Sequence, residues 1–408
     1  VHKISNQNQV SKEKKEKEEK IPKRVKSQLE AFMDEHETDH YNGLPEILYK
    51  ISTGSLNLDC AIEGGLGPGI HRLGGSSEGG KTSCALEVAK NFLLTVPNSK
   101  VLYIKAEGRL SKKVKERSMM NFVEVPHEWE VGTAFCYKSN VFDSIAQLVF
   151  SLVTNNPHDY KYCIIIDSLD GLILKADLAK DFDGGDHVKV AGPNVLTKRL
   201  MKQTSLPISE HGHMMIVISQ IIGKITGKYD SPDQLNVGGG GGNAAIHFAN
   251  WILEFLPRFG KHMILSEGKS VVTEFDKNNI LGHNCRVRIA KSENETSNLI
   301  VEYPIKYGRT KAGEKIGSIW NEMELKSALE RLKLVESKGA WVKFSPKAMG
   351  LMQEYFDGDE SVQVEEVHNG GKKFMAYVST PPILKFWVNH IKEETAKGDI
   401  QDSEFFEE

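Results

Sequence analysis

Eight consecutive residues, Gly75, Ser76, Ser77, Glu78, Gly79, Gly80, Lys81 and Thr82, have the types and spacing of a loop that holds a phosphate chain. The glycines let the backbone turn tightly and aim N–H groups at phosphate oxygens. Lys81 supplies a point charge for the β- and γ-phosphates, and Thr82 offers a hydroxyl to Mg²⁺. Such a loop must run from a strand into a helix, whose N-terminus adds partial positive charge from Thr82 and Ser83 onward. The flanks agree: Gly69–Leu73 reads as a strand, and residues 82–94 carry apolar side chains at helical spacing. A chance glycine loop is the alternative, and the flanks argue against it. The chemistry implied is binding of a nucleoside triphosphate.

Three apolar runs deliver polar groups to the edge where that loop must sit. Residues 162–166 end in Asp167, placed to hold Mg²⁺ directly or through water. Residues 101–105 lead to Glu107, which could orient or deprotonate an attacking water; a plain surface glutamate at a strand end is the competing reading. Residues 214–219 end in Gln220, an amide able to sense a γ-phosphate, or else an ordinary strand cap. After Gln220 comes a long segment, 221–243, with Lys224, Lys228, Tyr229 and five consecutive glycines ending at Gly241 and Gly242. Loops of this length inside a domain are functional or mere linkers, and lysines with an aromatic suit a nucleic-acid backbone. A second such segment, 180–193, holds His187, Val188 and Lys189.

The elements that must position these groups alternate β and α from Ile51 to Tyr307. Strands are expected at 101–105, 134–137, 162–167, 214–219, 251–255, 285–290 and 300–306, in a mainly parallel α/β sheet covered on both faces. Four regions follow: a charged arm with a short amphipathic helix (1–50, stripe Val25, Leu29, Phe32, Met33), a core (51–308), a small α/β domain (309–390) and an acidic tail (391–408). The tail is either a solubilising segment or a competitor for a basic groove. A chain of 408 residues suffices for one large core with attachments. Net charge of −3 excludes a uniformly basic nucleic-acid binder but not a local basic groove. Cys60, Cys84, Cys136, Cys163 and Cys285 form no paired motif, as in a reducing compartment. No apolar run has membrane-spanning length, so a cytoplasmic protein without membrane contact is expected.

Taken together, these motifs resemble the RecA recombinase core. The resemblance covers roughly residues 51–345 and rests on several ordered stretches: Ile51–Asp59, the glycines before Ile70, the phosphate loop, Ala106-Glu107, Ile166-Asp167-Ser168, Ser219-Gln220, Gly241-Gly242-Asn243-Ala244 and Gly339-Ala340-Trp341. It implies a RecA-like P-loop ATPase core with an N-terminal helical arm and a small C-terminal α/β domain. It further implies an ATP- and Mg²⁺-dependent protein that forms a helical homo-oligomeric filament on single-stranded DNA, pairs it with homologous double-stranded DNA, and acts in homologous recombination and repair. By the resemblance Glu107 activates water, Gln220 senses the γ-phosphate, Ile225 beside Lys224 wedges between bases, and His187-Val188 forms the first DNA loop's tip. Gly241, Gly242 and Asn243 close the second DNA loop, and Lys291 reaches a neighbour's ATP. A single-strand binding protein or loading mediator is an implied partner. Divergence elsewhere is similar to phage recombinases of the UvsX kind, which would act in the host cytoplasm. A hexameric RecA-fold helicase and a non-catalytic ATP-binding filament or mediator are the alternatives. The sequence departs from the bacterial pattern at Glu293 (a basic residue there), Val114 (an aromatic that stacks on adenine), Lys105 (an acid before the catalytic glutamate) and Ile222 (a positive charge).

Overall fold

The computed structural model describes residues 26–42, 44–108, 110–178, 192–220, 247–265, 280–295, 297–307 and 319–396. Two compact units divide the chain at Pro45. In the first, α1 (Gln28–Glu35) opens on a capping box: Ser27 Oγ accepts from the Glu30 N–H and Glu30 Oε2 accepts from the Ser27 N–H. Leu29 and Phe32, of the expected stripe, are 66% and 59% exposed.

The second unit holds the expected α/β core. In chain order its described elements are α2 (Leu56–Ala61), β1 (Gly69–Gly75), α3 (Lys81–Thr95), β2 (Ser99–Lys105), α4 (Lys112–Ser118), β3 (Phe122–Val123), β4 (Ala134–Lys138), α5 (Phe142–Thr154), β5 (Lys161–Asp167), α6 (Lys175–Leu178), α7 (Gly192–Glu210), β6 (Met214–Gln220), β7 (Trp251–Phe255), β8 (Met263–Leu265), β9 (Ile280–Lys291) and β10 (Ile300–Lys306). All seven expected strands are present. The sheet runs β10-β9-β7-β1-β6-β5-β2-β4-β3, with β8 beside β9. From β7 to β3 every pairing is parallel. Beyond β7 the sheet turns antiparallel: β9 pairs antiparallel with β7, β8 and β10.

The central strands are buried on both faces, which explains the unbroken apolar runs of β5 and β6; β1 is as fully buried but carries His71 and Arg72. Alternation within β5 shows both faces at work. Cys163 and Ile165 pack with Cys84, Val88 and Phe92 of α3, while Ile164 and Ile166 pack with Ile145 and Val149 of α5 and Met201 of α7. Asp167 continues the first series and so emerges on the α3 face, next to the phosphate loop. That register decides which strand-end carboxylate meets Thr82.

After residue 318 a three-stranded antiparallel sheet, β11 (Val335–Lys338), β12 (Trp341–Phe344) and β13 (Val367–Asn369), packs with four helices around Phe344, Phe374 and Trp387. The last helix, Pro381–Ala396, runs through the boundary drawn at residue 390, and Ile391 is buried. Glu324 ties this region to the core: its carboxylate accepts from Ser55 Oγ (2.6 Å) and from the N–H groups of Leu56 (3.2 Å) and Asn57 (3.3 Å). Burial pushes the Glu324 carboxyl up to about 7.

Candidate nucleotide site at the sheet edge

The phosphate loop leaves β1 with its backbone pressed against β7. Gly75 has φ 136°, and a Cβ there would lie 2.1 Å from the Phe255 carbonyl oxygen. Only glycine serves. The N–H of Ser76 donates to that same carbonyl (3.2 Å) and the N–H of Gly79 to Ser76 O (3.3 Å). Lys81 begins α3 and folds back, its Nζ donating to the carbonyls of Gly75 (2.8 Å) and Ser76 (2.7 Å). Burial lowers the Lys81 pKa, against which Asp167, Asp170 and Glu107 favour the charged form. An incoming phosphate would exchange for the two carbonyls.

Thr82 Oγ1 lies 3.2 Å from Asp167 Oδ2, bringing the two expected metal residues together. A hydroxyl and a carboxylate are hard oxygen donors, the set Mg²⁺ takes beside a triphosphate, so these residues fit that ion. The same Oδ2 also accepts from Lys105 Nζ (3.1 Å) and from the Tyr103 hydroxyl. Tyr103 and Lys105 are two apart on β2 and share a face, and Lys105 is in register with Asp167 on β5.

Glu107 stands one step beyond. Its Oε1 accepts from Ser168 Oγ (2.5 Å), its Oε2 from Gln220 Nε2 (3.4 Å), and a Cβ on Gly171 would come 2.3 Å from its Cγ. Asp170 Oδ2 accepts from the Gln220 backbone N–H (2.6 Å), holding the last residue of β6. Lys81, Thr82, Asp167, Glu107 and Gln220, distant in sequence, thus meet at the C-terminal edge of β1, β5, β2 and β6.

From the loop a cleft of about 640 Å³ extends away from these carboxylates, lined by Glu78 to Ser83, Val114, Arg117, Arg258, Met263, Ile280, His283, Ile305 and Tyr307. Of its far wall only Val114 was anticipated. Tyr307 packs on His283 (centroids 5.5 Å), and its hydroxyl accepts from Arg258 Nη1 (2.5 Å). Arg258 also pairs with Glu78, and Arg117 Nη2 donates to Ser83 Oγ (3.3 Å). Burial lowers His283 to about 4, helped by Arg258 and Arg117, so its ring is neutral. An aromatic at a strand end was the one sequence signal for Tyr307; for Arg258 there was none. Tyr103 could have been found from its two-residue spacing to Lys105.

Lys291 is not part of this cleft. It pairs with Ile252, three residues from the Phe255 that contacts the loop, a separation of about 10 Å along the strand. Its Nζ donates to the His247 carbonyl (3.1 Å). Glu293 accepts from the Trp251 indole N–H (2.9 Å) and from Asn250 Nδ2, so it closes the lower end of β7. The expected DNA-contacting residues His187, Val188, Lys189, Lys224, Ile225, Lys228, Gly241, Gly242 and Asn243 lie outside the described residues, as does Ile222.

A mainly parallel sheet with a phosphate loop on the α3 side and carboxylates at its C-terminal edge defines an α/β protein with a RecA-like core. No protein-family model matches the chain. Among curated proteins it is similar to the RecA proteins of Rhodospirillum rubrum (25% identical over 336 residues, 78% of this chain and 77% of that one) and Syntrophobacter fumaroxidans (26% over 341 residues, 78% and 84%). The RecA protein of Gluconobacter oxydans is 25% identical over 318 residues, 74% of this chain and 76% of that one. Over about three quarters of its length the chain is thus similar to RecA proteins.

Proposed function

We propose that this chain is an ATP-dependent recombinase of homologous recombination and DNA repair. It assembles as a helical filament on single-stranded DNA and pairs that strand with homologous double-stranded DNA. The observation that carries the reading is Gln220: its side chain reaches Glu107 while its backbone N–H is pinned by Asp170, at the point where the chain enters residues 221–246. A group that touches the hydrolytic carboxylate and starts the segment assigned to DNA can pass nucleotide state from one to the other.

In this reading Lys81 and the loop N–H groups of Gly75 to Ser83 bind the phosphates of ATP, and Thr82 and Asp167 hold Mg²⁺. The metal supplies neutralisation of charge on the β- and γ-oxygens. Glu107 orients the attacking water and takes its proton, held in place by Ser168. Val114 and Tyr307 flank the base. Lys291, remote from its own loop, suits an ATP held by a neighbouring protomer; Glu293, engaged by Trp251 and Asn250, adds no positive charge there. His187, Val188 and Lys189 form one DNA contact, and Lys224, Ile225, Lys228, Gly241, Gly242 and Asn243 the other. The four-region division, the α1 stripe as part of the subunit contact, a phage-type origin, a cytoplasmic site of action and a loading mediator complete the proposal. Among the described residues no helix is long and apolar enough to cross a membrane.

The test is ATP turnover measured with and without single-stranded DNA, alongside electron microscopy with a slowly hydrolysed analogue. Stimulation of several-fold and helical filaments are expected. Turnover indifferent to DNA, or closed rings, would sink the reading.

A further inference from the structure

One residue at the catalytic edge has no part in the scheme above. The Nζ of Lys105 lies 3.1 Å from Asp167 Oδ2, the oxygen that also faces Thr82. The pair is enclosed, with side chains 14% and 9% exposed. Nothing about the lysine is accidental in placement: β2 and β5 put residues 105 and 167 in register, and Tyr103 on the same face of β2 donates to the same oxygen. Asp167 Oδ2 therefore carries a hydroxyl donor, a phenol donor and an ammonium donor at once.

We infer that Lys105 is a positioning residue, a tethered cation that occupies the Asp167 carboxylate and competes with a divalent ion there, so that metal binds this site more weakly until nucleotide is bound. The inference rests on the reading that Thr82 and Asp167 hold the metal. Its physical basis is short. An ammonium within hydrogen-bond reach takes up an oxygen lone pair and adds a positive charge a few ångströms from where a doubly charged ion must sit. Between like charges a few ångströms apart in a largely enclosed pair even a strongly screened repulsion shifts metal affinity. Bound triphosphate adds negative charge on the other side of the metal and tips the competition.

The test is Mn²⁺ binding to the full-length protein, followed by electron paramagnetic resonance, without nucleotide and with a non-hydrolysed ATP analogue. Without nucleotide, Lys105→Met should bind Mn²⁺ about tenfold more tightly than wild type, equivalent to about 1.4 kcal/mol. Lys105→Arg, which keeps the charge, should match wild type, and a purely packing role for the side chain would not produce that split. With the analogue the gap between wild type and Lys105→Met should narrow. Equal nucleotide-free affinities for wild type and a folded Lys105→Met overturn the inference; should that variant fail to fold, Lys105→Gln carries the same comparison. Asp167→Asn separates the two layers: if it keeps wild-type Mn²⁺ affinity with the analogue, the metal assignment itself fails and the inference falls with it.

Discussion

The two walls of the nucleotide cleft are made in different ways. The phosphate wall comes from one continuous segment and three strand ends, and nearly every group in it bonds to another: Lys81 to its own loop, Thr82 and Lys105 to Asp167, Ser168 and Gln220 to Glu107. The opposite wall is gathered from α4, the segment around Arg258, β9 and the end of β10, and its contacts mix a tilted His283–Tyr307 ring pair with bonds from Arg258 and Arg117. The first wall is specified by backbone geometry and charge; the second by whichever side chains the antiparallel edge happens to bring over. In the proposed reading, chemistry belongs to the former, and affinity and choice of base to the latter.

That contrast breaks if mutations in the two walls behave alike. Lys81→Ala removes a charge used in both binding and transition state, and ATP turnover should fall by about a thousandfold or more in a phosphate-release assay. Glu107→Gln should lower kcat by roughly a hundredfold while leaving ATP binding within about twofold, read by single-turnover kinetics beside equilibrium binding. Unchanged turnover in that variant would remove Glu107 from catalysis. On the opposite wall, Tyr307→Ala should raise the Kd for ATP about tenfold with kcat nearly unchanged, since stacking contributes equally before and during reaction.

The pH dependence sharpens the comparison further. His283 has a folded pKa of about 4 against an ordinary 6.5, so it favours the folded state at pH above 6.5, and that contribution is lost as pH falls towards 4. His213, buried and accepting the Tyr162 N–H at Nδ1, is lowered to about 3 and acts in the same direction. Glu324 opposes them, because a carboxyl raised to about 7 favours folding most below pH 4.5 and loses that contribution as pH rises through 7. Between pH 6.5 and 5 wild type should lose on the order of 1 kcal/mol per pH unit relative to His283→Leu, measured by urea unfolding of both. The smallest effect is expected at the exposed rim, where Glu78→Gln, breaking the pair with Arg258, should change ATP affinity by less than about threefold.

Legibility followed the same division. Glycine at 75 and lysine at 81 announce their role because a tight phosphate turn admits few alternatives, and apolar runs ending in Asp167, Glu107 and Gln220 announce strand ends. Strands such as 162–167 and 214–219 were visible because a strand buried on both faces needs an unbroken apolar run, and 285–290 because its apolar residues alternate toward the buried face. Tyr307, Arg258 and His283 carry no such local signature. Their place in the cleft depends on β9 and β10 reversing across the sheet, a long-range pairing that no short window contains. Glu293 shows the converse: its departure from the bacterial pattern is plain in the sequence, but its bonds to Trp251 and Asn250 are not.

The sequence by itself determined that this protein has a phosphate loop, a strand-borne carboxylate beside it and a mainly parallel α/β core, because those follow from local spacing, glycine geometry and hydrophobic periodicity. Only the tertiary structure decided that Lys105 sits on the Asp167 carboxylate, that Gln220 touches Glu107, and which side chains line the cleft beyond the loop. Each of those depends on strand order and register, where a shift of one residue would turn every side chain to the opposite face of the sheet.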